Sequence, residues 1–240
     1  MKKLSIIIPC FNSSQALETN LPYLVNYCST LGVETEIIII DDGSFNAEEA
    51  SDIARLNSCV FYRYQKNKGK GNAIRYGISK ATGDIIAFTD ADIPFEGEAI
   101  KKAIDYLTIK EYDLVIGDRG LKESVYFSKV TNERRFGSGI FTFFVGRFVT
   151  TGFSDTQCGF KVFRREIALD IFSKSRINGF SFDVELVYIA LKRNYDIKKI
   201  PVVLRSQDGN SVSVLKHGFG MLLDLFRIKW NHLKGRYKNE

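Results

Sequence analysis

Short, mostly apolar runs alternate with longer amphipathic ones along the first half of the chain. Residues 4–9 and 37–40 are apolar runs of strand length, and 60–64, 84–89 and 113–116 repeat the pattern. Between them, residues 13–31, 47–57, 72–81 and 96–108 carry apolar positions at helical spacing. Strands alternating with helices predict βαβ units and a mainly parallel sheet covered by helices on both faces. In such sheets ligands bind beyond the carboxyl ends of the strands. Three polar clusters fall there: Pro9-Cys10-Phe11-Asn12, Asp41-Asp42-Gly43-Ser44 and Asp90-Ala91-Asp92. Three on one edge predict a site.

The pattern changes after Arg119. Residues 134–150 read as a helix that is apolar on nearly every face, with Phe136, Phe141, Phe143, Phe144 and Phe148. A loop over 152–159, a strand over 160–163, a short helix from Arg165 and a helix with Asp183 and Glu185 near its start follow. Ser181 or Asp183 is expected to cap that last helix. A strand over 199–204 comes next. Residues 213–233 close the chain as an amphipathic helix, with Leu215, Phe219, Leu222, Phe226, Trp230 and Leu233 on one stripe. This divides the chain into a main domain over 1–205 and a C-terminal helix over 206–240 that either lies on a membrane surface or packs on protein.

Composition narrows the function classes. Of 240 residues, 45% are hydrophobic and 26% charged, an ordinary globular mixture long enough for one large core. The four cysteines show neither CxxC nor zinc spacing, which argues for a reducing compartment. Lys2 and Lys3 precede apolar residues, but Pro9 and Asn12 end that run too early for a signal peptide, and a first strand is expected instead. No stretch approaches the roughly 20 apolar residues of a membrane span. The net charge of +6 is uneven: residues 161–240 hold 16 Lys/Arg against 8 Asp/Glu (+8), and residues 1–160 hold 18 against 20 (−2). The basic third suits phosphate, whether of a nucleotide, a membrane or a nucleic acid, or is a solvated face. It shows no basic–aromatic interleaving of the nucleic-acid-binding kind, so nucleic acid is not an expected partner.

Asp90 and Asp92 stand two residues apart at a strand end, where a turn can converge them. That is either a solvated corner or a seat for Mg²⁺ or Mn²⁺ carrying a diphosphate. Asp41, after four isoleucines, is placed to accept hydrogen bonds from a base or ribose. No GxGxxG follows the first strand, which removes nicotinamide and flavin sites. Asn67-Lys68-Gly69-Lys70-Gly71-Asn72 is either a basic turn or a phosphate-holding loop of amides and cations.

In this order the motifs resemble family 2 glycosyltransferases of the GT-A (Rossmann-like) α/β fold. Gly117-Asp118-Arg119, Arg134-Arg135-Phe136-Gly137-Ser138, Asp155-Thr156-Gln157-Cys158-Gly159-Phe160-Lys161 and Phe182-Asp183-Val184-Glu185-Leu186 resemble the dolichyl-phosphate β-glucosyltransferase branch of the polyprenyl-phosphate sugar transferases. The resemblance assigns Pro9, Phe11 and Asp41 to the nucleotide, Lys70 to its diphosphate, and Asp90 and Asp92 to the metal. It matches Arg119, Arg134 and Ser138 to positions that hold the lipid phosphate, and Asp155 to an acidic residue beside the acceptor. It implies inverting transfer of glucose from UDP-glucose to a polyprenyl phosphate, with Mg²⁺ or Mn²⁺. Members of this group often end in membrane-spanning helices; with no such stretch in this sequence, the C-terminal stripe leads us to expect a protein held peripherally at the cytoplasmic face of a membrane, with homo-oligomers a further expectation. The alternatives are the same donor chemistry on a soluble glycan or protein, and an inactive sugar-nucleotide-binding protein. Two positions depart from relatives: Pro94 stands where some carry a metal-ligating Gln, and Gly209-Asn210-Ser211-Val212 lacks a Lys.

Overall fold

The computed structural model describes residues 2–125, 146, 152–153, 155–205 and 214–238. Arg134, Ser138, the aromatic stretch 134–150 apart from Gly146, and Gly209 to Val212 lie outside the described residues. The strands are β1 (Leu4–Cys10), β2 (Thr35–Asp41), β3 (Val60–Arg63), β4 (Ile85–Phe88), β5 (Leu114–Gly117), β6 (Lys161–Arg164) and β7 (Ile197–Ile200). They form one sheet in the order β3-β2-β1-β4-β6-β5-β7. Only β6 runs against its neighbours β4 and β5; the β1–β2, β1–β4, β2–β3 and β5–β7 pairs are parallel.

The described helices are α1 (Ser14–Ser29), α2 (Ala47–Leu56), α3 (Lys70–Lys80), α4 (Glu98–Thr108), α5 (Arg165–Lys174), α6 (Phe182–Lys192) and α7 (Val214–Leu233). The central strands are apolar on both sides because both sides are covered. In β2, Ile37 and Ile39 enter the core with α1, α2 and α4, while Ile38 and Ile40 enter the core with α3, α5, α6 and α7. Met221, Leu225 and Ile228 of α7 belong to that second core.

Most boundaries moved by one or two residues, and the shifts at β7 and α3 are the informative ones. The strand expected over 199–204 is Ile197–Ile200, and Val203 and Leu204 make isolated bridges to Val125 and Phe95. Helix α3 starts at Lys70 rather than 72, because Gly69 turns the chain at φ +95°, a left-handed value that suits glycine. A side chain there would also strike the Asn178 carbonyl oxygen, 2.5 Å from an added Cβ.

Candidate active site

The ends of β1 and β2 are tied to each other. Asn12 takes a left-handed φ of 49°, donates its amide to Ser44 Oγ at 2.8 Å and accepts the Phe45 amide at Oδ1 at 3.0 Å. Pro9 is half-buried beside them and Phe11 is exposed. Asp41 ends β2 fully buried. Its Oδ2 accepts the Ser44 amide at 3.2 Å and lies 3.4 Å from Arg63 Nε, whereas its Oδ1 is buried with no hydrogen-bond partner. A buried acceptor left unpaired costs about 1–3 kcal/mol, so it marks a place where a donor group belongs.

Asp42 does something the sequence did not suggest. Its two oxygens accept the amides of Lys68 at 2.7 Å and Gly69 at 2.9 Å, and the Gly71 amide donates to the Asn178 carbonyl at 2.8 Å. The amides of Lys68, Gly69 and Gly71 are therefore spent within the protein rather than held out to phosphate. What the loop presents is the Lys70 side chain.

Lys70 reaches β4's end, where its ammonium hydrogen-bonds Asp90 Oδ1. Burial pulls the Lys70 pKa down, but the charges of Asp90, Asp183 and Asp92 outweigh it and the net shift is upward. Asp90 lies against Gly159, where an added Cβ would sit 2.0 Å from its Oδ2, so any side chain there would push the Asp90 carboxylate out of place. Asp92 has a buried Oδ1 with no partner, and its pKa is pushed up by burial and then by the Asp90 charge. Two carboxylates whose charges act on one another, one with an orphaned oxygen, fit Mg²⁺ or Mn²⁺. Among the described residues no cluster of three or more His, Cys, Asp or Glu surrounds them, so the remaining ligands would come from donor phosphates and water.

Asp155 and Arg119 form a forked pair: Arg119 Nε donates to Oδ2 at 2.9 Å and Nη2 to Oδ1 at 2.7 Å, and the Arg119 backbone amide adds 2.8 Å to Oδ2. Burial raises the Asp155 pKa, but Arg119 outweighs it and holds the carboxyl below its usual range. Such a group is a weak base and a good orienter. Arg119 correspondingly has one edge committed to Asp155.

Two residues between these clusters, Lys161 and Asp183, were given no role in the site from sequence. Lys161 is 1% exposed, donates to Asp183 Oδ1 and to the Cys158 carbonyl at 2.8 Å, and lies 5.4 Å from the Phe88 ring centroid. Asp183, expected as a cap, instead faces Lys161, and neither it nor Ser181 makes a side-chain capping bond. Asp183 acts on Lys70, and Lys161 acts on Asp155, so charges alternate from Asp90 through Lys70, Asp183, Lys161 and Asp155 to Arg119. The available signal was a lysine inside the apolar strand Phe160-Lys161-Val162-Phe163, since lysine is almost never fully buried without a partner.

Residues 5–172 match the model of glycosyl transferase family 2. The chain belongs to this family. Similarity continues past the matched segment: the dolichyl-phosphate beta-glucosyltransferase of Dictyostelium discoideum is 31% identical over 249 residues, covering 98% of this chain and 76% of its own. The human protein of that name is 30% identical, covering 100% of this chain and 78% of its own. Among solved structures, glucosyl-3-phosphoglycerate synthase from Mycobacterium tuberculosis with phosphoglyceric acid superposes with a TM-score of 0.70 at 16% identity, covering 95% of this chain and 80% of that one. The same enzyme with Mn²⁺, UDP and glucosyl-3-phosphoglycerate gives 0.65 at 17% identity, covering 100% and 81%. At that identity the likeness is one of fold, and the fold is the expected GT-A architecture. The protein is thus a glycosyltransferase resembling dolichyl-phosphate beta-glucosyltransferases over nearly its whole length.

Proposed function

We propose that the protein transfers glucose from UDP-glucose to a polyprenyl phosphate with inversion at the anomeric carbon. The observation that carries this reading is the juxtaposition of Asp90, Asp92 and Lys70 with the Arg119–Asp155 pair, linked by Lys161 and Asp183. The first group suits a metal-bound diphosphate and the second an anionic acceptor. The sugar and the lipid are inferred from the relatives of 30–31% identity.

In this reading Asp41 Oδ1 receives a hydrogen bond from the base or ribose, and Pro9 and Phe11 line that end. Asp90 and Asp92 hold Mg²⁺ or Mn²⁺, which when bound supplies Lewis-acid stabilisation to the leaving diphosphate. Lys70 exchanges its contact with Asp90 for the diphosphate and neutralises charge as the C1–O bond breaks. The acceptor phosphate has a second pKa near 6, so it is mostly dianionic at neutral pH and needs no strong base. Its oxygen attacks C1 from the face opposite UDP, forming the new C1–O bond as UDP departs. Asp155 orients Arg119 towards that phosphate, and Arg134 and Ser138 complete its binding. A lipid acceptor would bring the protein to a membrane surface, in this reading peripherally and at the cytoplasmic face.

The test is a donor screen with the purified full chain, polyprenyl phosphate in detergent and labelled UDP-glucose, GDP-mannose and UDP-N-acetylglucosamine. We expect labelled lipid from UDP-glucose, dependent on Mg²⁺ or Mn²⁺, and a fall of about 100-fold or more in Asp92→Asn, the scale of losing several kcal/mol of charge stabilisation. Undiminished turnover in excess EDTA removes the metal assignment, and preference for another donor removes glucose. Label transferred only to a soluble acceptor removes the lipid.

A further inference from the structure

Helix α7 has two apolar faces, and among the described residues one of them packs into the core. Met221, Leu225 and Ile228 are buried in the core with Tyr188 and Ile189. Leu223, Phe226, Trp230 and Leu233 lie roughly half a turn away around the helix and are 42, 74, 57 and 79% exposed. Leu222, which the sequence pattern put on the same stripe, is partly buried against the core, and the side chains of Leu215 and Phe219 lie outside the description. Basic residues flank the outer face: Arg227, Lys229, Lys234, Arg236 and Lys238 are all exposed. From 220 to 238 these five stand against one acid, Asp224, a local charge of +4. Asp224 is in turn paired with Arg227 at 2.9 Å.

Four large apolar side chains in contiguous array on a well-packed helix are unusual on a surface that meets only water. Their own core is already filled on the opposite face. A second copy is a poor occupant, because an isologous contact through this stripe would bring two +4 flanks together. An anionic bilayer matches both features: Trp and Phe seat at the interface, and Lys and Arg stems lie along apolar surface while their charges reach headgroups. We propose that the outer face of α7 docks the protein on an anionic membrane surface.

The placement suits a lipid acceptor. The Asp224 carboxylate lies 4.0 Å from where a Cβ on Gly179 would stand. The adjacent Asn178 carbonyl accepts the Gly71 amide in the first turn of α3, next to Lys70. Through this loop α7 is tied to the first turn of α3, the turn that carries Lys70. The fit to a lipid acceptor rests on the proposed function; the docking itself does not.

Trp230 is the chain's one tryptophan, so its emission reports on this face alone. The full chain is titrated with vesicles of phosphatidylcholine, with and without phosphatidylglycerol. We expect a blue shift and quenching by brominated acyl chains with the anionic vesicles, weakened at about 0.5 M salt by screening. Phe226→Ser with Leu233→Ser keeps the reporter and should weaken partitioning at least tenfold, while UDP binding by calorimetry stays unchanged as proof of folding. Absence of any shift overturns the proposal, as does equal partitioning of the double variant. A dimer in sedimentation that shields Trp230 from acrylamide and binds no vesicle also overturns it, in favour of a second copy. If Trp230 responds but polyprenyl phosphate in detergent is never glucosylated, the docking stands and the acceptor assignment falls.

Discussion

Lys161 and Asp183 are the residues whose removal best separates holding the fold from arranging the site. Each lies in the core, and a buried pair broken on one side leaves an uncompensated charge worth about 3–5 kcal/mol. Asp183→Asn should therefore lower stability by that amount, with a fall in turnover. Replacing both, Lys161→Met with Asp183→Leu, removes the charges together and should restore most of the stability. Turnover should remain at least about tenfold down, because Lys70 and Asp155 lose the neighbours that fix their surroundings. Full recovery of kcat in the double variant would reduce the pair to packing. A second expectation follows from Asp92, whose carboxyl is raised by burial and by Asp90. A proton competes with the cation for that oxygen, so Mn²⁺ affinity should fall as pH drops, starting above the ordinary aspartate range of about 3.9. Removing the like charge with Asp90→Asn should lower the Asp92 pKa. Mn²⁺ affinity measured by electron paramagnetic resonance and flat down to about pH 4 would contradict this. The strand-end places of Asp41, Asp90 and Asp92 were legible in sequence because each acid follows an apolar run. Lys161 and Asp183 were not, because their partnership spans 22 positions and exists only once β6 and α6 meet.

At the scale of elements, legibility followed burial. The run Ile37 to Ile40 could only be a strand covered on both faces, and it is. The reversal of β6 left no mark, since a short apolar strand reads alike in either direction. The β7 boundary slipped because Lys198 and Lys199 interrupt the apolar pattern, while Val202 is buried outside the strand. In α7 the outer stripe was visible and the inner one was overlooked, because Met221, Leu225 and Ile228 are spaced just as helically. The inner attachment makes a prediction. Tyr237, beyond α7, donates its hydroxyl at 2.6 Å to Glu185 Oε1, while Glu185 Oε2 accepts the amides of Arg176 and Ile177 at 2.8 Å each. Tyr237→Phe leaves a buried carboxylate oxygen short of a donor and should cost about 1–3 kcal/mol. Burial raises the Glu185 pKa, so its contribution to stability is present below the unfolded value of about 4.3 and is lost as pH rises through the folded one. The variant removes a donor to the charged form, so its penalty should grow as pH rises through that range. Urea unfolding of both proteins across the range checks this, and a penalty that shrinks with rising pH would reverse the assignment.

Across the whole molecule, the candidate site draws on both halves of the sheet. Asp41 comes from β2, Asp90 follows β4, Lys70 opens α3, Lys161 opens β6, Asp183 opens α6, and Arg119 follows β5. The two apolar cores share the strands between them, with alternate residues of β1, β2, β4, β5 and β6 entering each. A ligand that bridges these elements should stabilise the fold as one cooperative unit. With UDP and Mn²⁺ at 100 times their dissociation constant, linkage gives about 2.7 kcal/mol. For a chain of this size each kcal/mol raises the melting temperature by about 2–4 °C, so the shift should be about 5–11 °C in a single transition. Mn²⁺ alone should give little, because in the proposed site Asp90 and Asp92 are the two carboxylates among the described residues that would hold it before the donor's phosphates arrive. Asp92→Asn should lose the part of the shift that Mn²⁺ adds and keep the smaller part due to nucleotide on Asp41. Scanning calorimetry tests each point. Two separate transitions, of which only one moved with ligand, would mean that the halves of the sheet unfold independently and that the alternating charges do not join them into one site.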